Sequence, residues 1–451
     1  MSTTPGPQTG GPQATGSQPI GPETGRKDLG PLRNLPRSAV VSFMQKAAVE
    51  TGHRTKIAAF LPRALWGWIK GYLGSRLGKK HKFLTYAQGK ENGIYPLDDQ
   101  SVIGGTADPN GEIRVGLVGD WGTGTDEANA VADRMMKLDP HFTIHLGDVY
   151  YVGSEDEMEE NCLGKSPKNE KDVIPCTWPV GSVGSFAMNG NHEMYALGDA
   201  YFDSFFKVLG IRPALGGDPL TQKASYFCLQ NDFWQIIALD TGYHSVGVPI
   251  LEEIFQPDCH LEPANLNFVQ NLVSPKGKSQ GLFILSHHQY YSAFQKNFPK
   301  PAQQLQDLID RPVLWFWGHE HRMTVYGLGS VKNSIKAFGR CIGHGGMPVD
   351  INEPVTPGTP FPALVYDHRP YSPPGENITV GMNGFAMLTF KGNQLQVDYY
   401  DWTAGQGPLL TENWKVENAQ LQGISINRGD TNFPEGHQLT VGPNLNRAIG
   451  K

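Results

Sequence analysis

The sequence predicts a layered α/β fold with an antiparallel flank, and three observations predict it. From Gly111 onward, short apolar runs alternate with loops in the manner of buried strands. An amphipathic helix follows the first of these runs, as a parallel-strand crossover requires. Near residues 385–400, two apolar runs are joined by a short turn, the pattern of a hairpin.

The elements follow in order. Residues 1–31 hold seven Gly and six Pro with few large apolar side chains. Such a stretch cannot offset its ordering entropy, so a disordered tail is expected over 1–32. Residues 31–84 carry 11 Lys/Arg against one acid, Glu50, a local charge of +10. Within a basic helical segment and linker over 33–110, helices are expected at 38–51 and 61–77. Gly71 and Gly74 weaken the second. The α/β body spans 111–405. Its strands are expected at 113–118, 142–146, 184–188, 233–239, 282–285, 313–317, 335–342, 385–390 and 395–400. The helix at 126–138 places Ala128, Val131, Ala132, Met135 and Leu138 on one stripe, with acids in its first turn. After Thr403 the periodicity fades, so 406–451 reads as an irregular C-terminal extension.

Composition excludes several classes. With 39% hydrophobic residues the chain can bury a sizeable core, which excludes collagen, a coiled coil and wholesale disorder. No apolar run approaches the roughly 18 residues of a membrane span. The first 30 residues lack the apolar stretch of a secretory signal. Five cysteines, at 162, 176, 228, 259 and 341, form no CxxC pair. That sparse, odd set fits a reducing compartment, so a cytoplasmic location is expected. Cys162 and Cys176 flank one loop and would pair only under oxidising conditions.

Metal-competent residues recur just after five predicted strands. They are Gly119-Asp120-Trp121-Gly122, Gly147-Asp148-Val149-Tyr150-Tyr151, Gly190-Asn191-His192-Glu193, Ser286-His287-His288 and Gly318-His319-Glu320-His321. Each alone is usually a turn. Together, in order and at strand ends, they point to one ligand site, since ligands collect at the carboxyl ends of strands in layered α/β folds. The acidic run at 155–160 reads as a solvated helix face or loop rather than a further cation site. His344, in Gly343-His344-Gly345-Gly346, is either a pocket residue or part of a turn.

This set resembles the calcineurin-like metallophosphoesterase superfamily, and within it the purple acid phosphatase branch. The first motif lacks the histidine two residues after the Asp, and the second supplies Tyr151 three residues after Asp148. The resemblance covers about 111–402 and implies an α/β/β/α sandwich with two central mixed sheets. It further implies a binuclear centre. Asp120, Asp148, Tyr151 and His321 would hold one ion, and Asp148, Asn191, His287 and His319 the other. Tyr150 is the alternative phenolate. Carboxylate and phenolate suit Fe(III); imidazole and amide suit Fe(II), Zn(II) or Mn(II).

The implied activity is hydrolysis of phosphate monoesters by a hydroxide generated at the metals, with His192 as general acid. A metallophosphodiesterase acting on nucleotides or phospholipids is the alternative. His288 would contact substrate or orient His287, and His344 would contact substrate if it lines the pocket. The basic residues 33–84, with Trp66, Trp68 and Tyr72, suit a strap on the acidic body or contact with an anionic membrane surface. Nucleic acid is the weakest of the three readings.

Overall fold

A computed structural model describes residues 79–86, 92–98, 111–150, 152–166, 175–212, 218–246, 257–273, 280–372, 379–403 and 405–451. The tail and the two N-terminal helices expected from sequence lie outside these residues.

Two mixed sheets of nine strands face each other. At the centre of the first, Ile113–Val118, Phe142–His145 and Gly184–Ala187 run parallel. Gly384–Lys391 pairs antiparallel with Ile113–Val118, and Gln394–Asp401 follows as the expected hairpin. At the centre of the second, Trp234–Ala238, Gly281–Ser286, Val313–Trp317 and Ala337–Ile342 run parallel.

The inner faces make one core, in which Leu117, Ile144 and Phe186 meet Ile236, Leu285, Leu314 and Phe316. The outer faces are covered by helices. Asp126–Met136 buries Ala128, Val131, Ala132 and Met135 against the first sheet, and Pro263–Val273 buries Val269 and Leu272 against the second. The order of layers is therefore α/β/β/α, as expected. The helix Asp126–Met136 starts where Thr125 accepts from the Ala128 N–H and two acids occupy the first turn.

The C-terminal residues depart from the expected irregular extension. Leu410–Glu417 and Gln420–Arg428 form a hairpin that continues the first sheet at its edge. Two features hid it. Leu410, Trp414 and Val416 alternate inward, but a fully buried acid, Glu412, breaks their apolar period. Gln420–Arg428 is an edge strand whose few apolar residues, Leu421, Ile424 and Ile426, do not alternate regularly.

The acidic run is a helix, Glu155–Asn161, closed by a capping box between Ser154 and Glu157, and Glu160 is buried rather than solvated. Cys162 and Cys176 are buried free thiols.

Residues 79–86, the end of the basic segment, run as a non-helical strap on the body. Phe83 packs on Tyr226 and Tyr243, and Tyr86 on Phe268. Lys80 Nζ donates to the Tyr243 carbonyl at 2.5 Å. Among the described residues no helix is long and apolar enough to cross a membrane.

Candidate metal centre

The parallel strands of both sheets end on one side of the molecule, and their loops meet there. The Gly119 N–H donates to the Ile342 carbonyl at 3.2 Å, joining the two sheets at this end. Asp120, Asp148 and His319 each sit one residue after a glycine, in the left-handed region, with φ of 59°, 75° and 65°. L-residues take that conformation at a cost, and such turns cluster at functional sites. Here they aim three side chains inward within three residues of their strands.

The side chains form two adjoining groups. In the first, the Tyr150 hydroxyl donates to Asp120 Oδ1 at 2.7 Å and lies 3.1 Å from Asp148 Oδ2. His321 Nε2 is 2.9 Å from the same hydroxyl and 3.5 Å from Asp120 Oδ1. In the second, Asn191 Oδ1 lies 2.9 Å from His319 Nδ1 and 3.1 Å from His287 Nε2. The two ring nitrogens are 3.3 Å apart, and His287 Nε2 is 3.3 Å from Asp148 Oδ2. Asp148 thus adjoins both groups. Gly190 is required beside it, because a Cβ there would lie 2.0 Å from Asp148 Oδ1.

The donors fit cations. His287 Nδ1 donates to the Leu146 carbonyl at 2.9 Å, which turns the Nε2 lone pair onto Asp148, Asn191 and His319. Burial alone would lower the His287 pKa, yet Asp148 overrides it and raises it to about 9. That field would hold a proton on Nε2, and it would hold a metal ion equally well. Burial opposes charge on Asp148 too, but His287 and His192 hold it well below the usual carboxylate range. Burial, with His287 beside it, drives His319 down to about 3, leaving it a neutral ligand. Burial and then Asp120 and Asp148 push the Tyr150 phenol well above its ordinary value. It needs a nearby cation to ionise.

The structure brings Asp120, Asp148, Asn191, His287, His319 and His321 together. Tyr151 lies outside the described residues; the phenol described in the cluster is that of Tyr150. His192 is partly exposed. Its Nε2 is 3.7 Å from Asp148 Oδ2, and its ring centroid is 4.2 Å from that of Tyr150.

The two histidines read as substrate contacts are buried. His288 does not hydrogen-bond His287. Its Nδ1 faces Thr241 Oγ1 at 3.2 Å, and its ring packs on His319 at 4.6 Å. It backs the second group instead of lining the mouth. His344 is enclosed beneath its loop, its carbonyl accepting from the Gly384 N–H and Asn383 Nδ2. Burial lowers its pKa to about 4.

Sequence reasoning assigned no role to Glu193. Its Oε2 accepts from the Gly190 N–H at 2.7 Å and the Asp148 N–H at 3.2 Å, tying two motifs together. Its place at the third position of the short helix Asn191–Tyr195, where a carboxylate caps the backbone, was the available signal.

Residues 113–323 match the profile of the family described as calcineurin-like phosphoesterase. The chain carries a calcineurin-like phosphoesterase domain. The matched span of this domain holds every residue of both groups. Among solved structures, the chain is similar to GAP50, the anchor in the inner membrane complex of Plasmodium, at 13% identity and a TM-score of 0.40; the match covers 74% of this chain and 98% of that one. It is also similar to PhoD, at 11% identity and a TM-score of 0.42, covering 70% and 72%. A dimetal phosphatase from Danio rerio matches at 11% identity and a TM-score of 0.34, covering 66% and 98%. Likeness at this level carries no argument about activity. No curated protein matches the chain.

Proposed function

We propose that this protein is a metal-dependent phosphoester hydrolase of the purple acid phosphatase-like kind, acting on phosphate monoesters. The observation that carries the reading is the convergence of six metal-competent side chains and one phenol from the strand ends of both sheets. Asp120, Tyr150 and His321 form a hard, anionic set suited to Fe(III). Asn191, His287 and His319 suit Fe(II), Zn(II) or Mn(II), with Asp148 between the sets. When bound, the ions would supply Lewis-acid polarisation of a phosphoryl group and an activated water.

The chain's own residues do the rest. Asp148 is held by the His192 N–H at 3.0 Å, so its carboxylate cannot swing away. His192 presents its imidazole at the open side, where Nε2 can carry the proton that a departing alkoxide needs. His192, Tyr195, His319 and His321 are each partly exposed at this side and would contribute to the surface an ester meets.

Gly122 favours the phosphatase branch. It stands where many relatives of the superfamily carry a ligand histidine, and a Cβ there would meet Val149 Cγ2 at 2.9 Å. With that position closed, the phenol supplies the missing donor.

The test is a comparison of 4-nitrophenyl phosphate with bis(4-nitrophenyl) phosphate on metal-replete protein. Faster turnover of the monoester is expected. A preference for the diester would overturn the monoesterase reading, and turnover of neither would overturn the hydrolase.

A further inference from the structure

A second group of metal-competent side chains lies where the N-terminal strap meets the body. His81 of the strap faces Asp199 and Asp203, and one ligand atom from each lies within 4.8 Å of the other two. The carboxylates are four residues apart on the helix Asp199–Asp203, so they share a face. None of the three residues belongs to the catalytic cluster.

His81 is held firmly. Its ring stacks on Phe202, with centroids 4.6 Å apart and planes 15° from parallel. Its N–H donates to the Leu197 carbonyl at 2.9 Å, and its carbonyl accepts from the Tyr243 hydroxyl at 2.8 Å.

The orientation of its ring decides the argument. His81 Nδ1 lies 2.8 Å from the Lys82 carbonyl oxygen. A carbonyl only accepts, so Nδ1 donates to it and Nε2 faces the carboxylates. Nε2 is 3.7 Å from Asp203 Oδ1, too far for a hydrogen bond. Nε2 and one oxygen of each carboxylate thus face one another around a common point. Ligating histidines take this arrangement, with one ring N–H on a carbonyl and the other nitrogen on the metal. Among the described residues, no lysine or arginine pairs with either aspartate. Bonds of roughly 2.0–2.2 Å to Zn(II) give a tetrahedral edge of about 3.4 Å, so small side-chain rotations close the site.

We propose that His81, Asp199 and Asp203 bind a divalent transition-metal ion, Zn(II) suiting one imidazole and two carboxylates best, with water completing the shell. The ion fastens the strap, and with it the basic segment, to the body. The proposal stands apart from the hydrolase reading, because the two sites share no ligand.

The test uses the full chain, loaded with Zn(II), desalted and assayed for zinc, beside Asp199→Asn and Asp203→Asn. Asp203 is 72% exposed, so its replacement leaves packing intact. Wild type is expected to retain one zinc per chain more than either variant. Equal zinc in all three proteins, the outcome for a simple imidazolium–carboxylate pair, overturns the site. Tryptic cleavage at Lys79, Lys80 and Lys82 is the second readout. It should slow on zinc addition in wild type and not in the variants. Cleavage of wild type that ignores zinc overturns the fastening.

Discussion

Tyr150 holds the most informative side-chain position in the molecule. Its hydroxyl touches both carboxylates and His321, while burial and those same carboxylates oppose its ionisation. A phenolate forms there only with a cation beside it. If that cation is Fe(III), the protein absorbs visible light through charge transfer. Tyr150→Phe should abolish the band, and Tyr151→Phe should leave it in place, as absorption spectra of iron-loaded variants will show. Sequence spacing favours Tyr151, which lies outside the described residues, and the phenol described in the cluster is that of Tyr150. The carboxylates and histidines were legible because each lies in a short motif at a strand end, and Asp120, Asp148 and His319 each follow a glycine there. His344 was not, because a buried turn and a pocket wall share one sequence pattern. Its burial has a consequence for stability. The folded imidazole titrates near about 4 and the unfolded one near its ordinary 6.5. Between those values the unfolded chain binds the extra proton, so stability falls as pH drops through the window. The contribution is at most about 3 kcal/mol. His344→Gln should lose less Tm than wild type between pH 6.5 and 4. Parallel Tm–pH curves would count against it.

At the scale of elements, the central strands were legible because both faces are buried and they read as continuous apolar runs. The C-terminal hairpin was not, because Glu412 interrupts its period and its outer strand lacks a regular apolar alternation. The short helix Asn191–Tyr195 shows what a tight strand-to-helix turn demands. Gly190 precedes it and packs against Asp148 with no room for a methyl group. Gly190→Ala should displace the Asp148 carboxylate and weaken metal retention at least about tenfold, a cost of roughly 1.4 kcal/mol. Metal content after dialysis measures this, with circular dichroism to confirm that the fold persists. Full retention of metal would show that the turn adjusts.

For the whole molecule, the buried Arg340–Glu412 pair joins the two sheets. Arg340 stands on Ala337–Ile342 and Glu412 on Leu410–Glu417, and both are fully buried. The guanidinium meets the carboxylate through Nε at 2.8 Å and NH2 at 2.7 Å. Tyr399 and Trp414 donate to the same carboxylate at 2.9 Å each, and the Ala448 carbonyl accepts from Arg340 at 2.8 Å. Removing one partner strands a buried charge, which costs about 3–5 kcal/mol. Glu412→Gln should lower the denaturation midpoint accordingly while leaving the catalytic cluster intact. A midpoint equal to wild type in urea titration would show the clamp to be dispensable. The hairpin that resembled a loose tail in sequence is thus needed to neutralise an arginine on the opposite sheet.

The provenance of the ligands bears on how the chain reaches its native state. Asp120, Asp148 and Asn191 come from one sheet, and His287, His319 and His321 from the other. Neither half chelates well alone, so an ion that prefers the complete set also favours the docked sheets over separated ones. At a thousandfold excess over its dissociation constant, a single ion adds about 4 kcal/mol to stability. Stripping the metals should lower Tm and slow refolding from urea, and returning them should restore both. The catalytic ions would then act earlier as assembly factors, selecting the correct pairing of two half-finished layers before any ester is met.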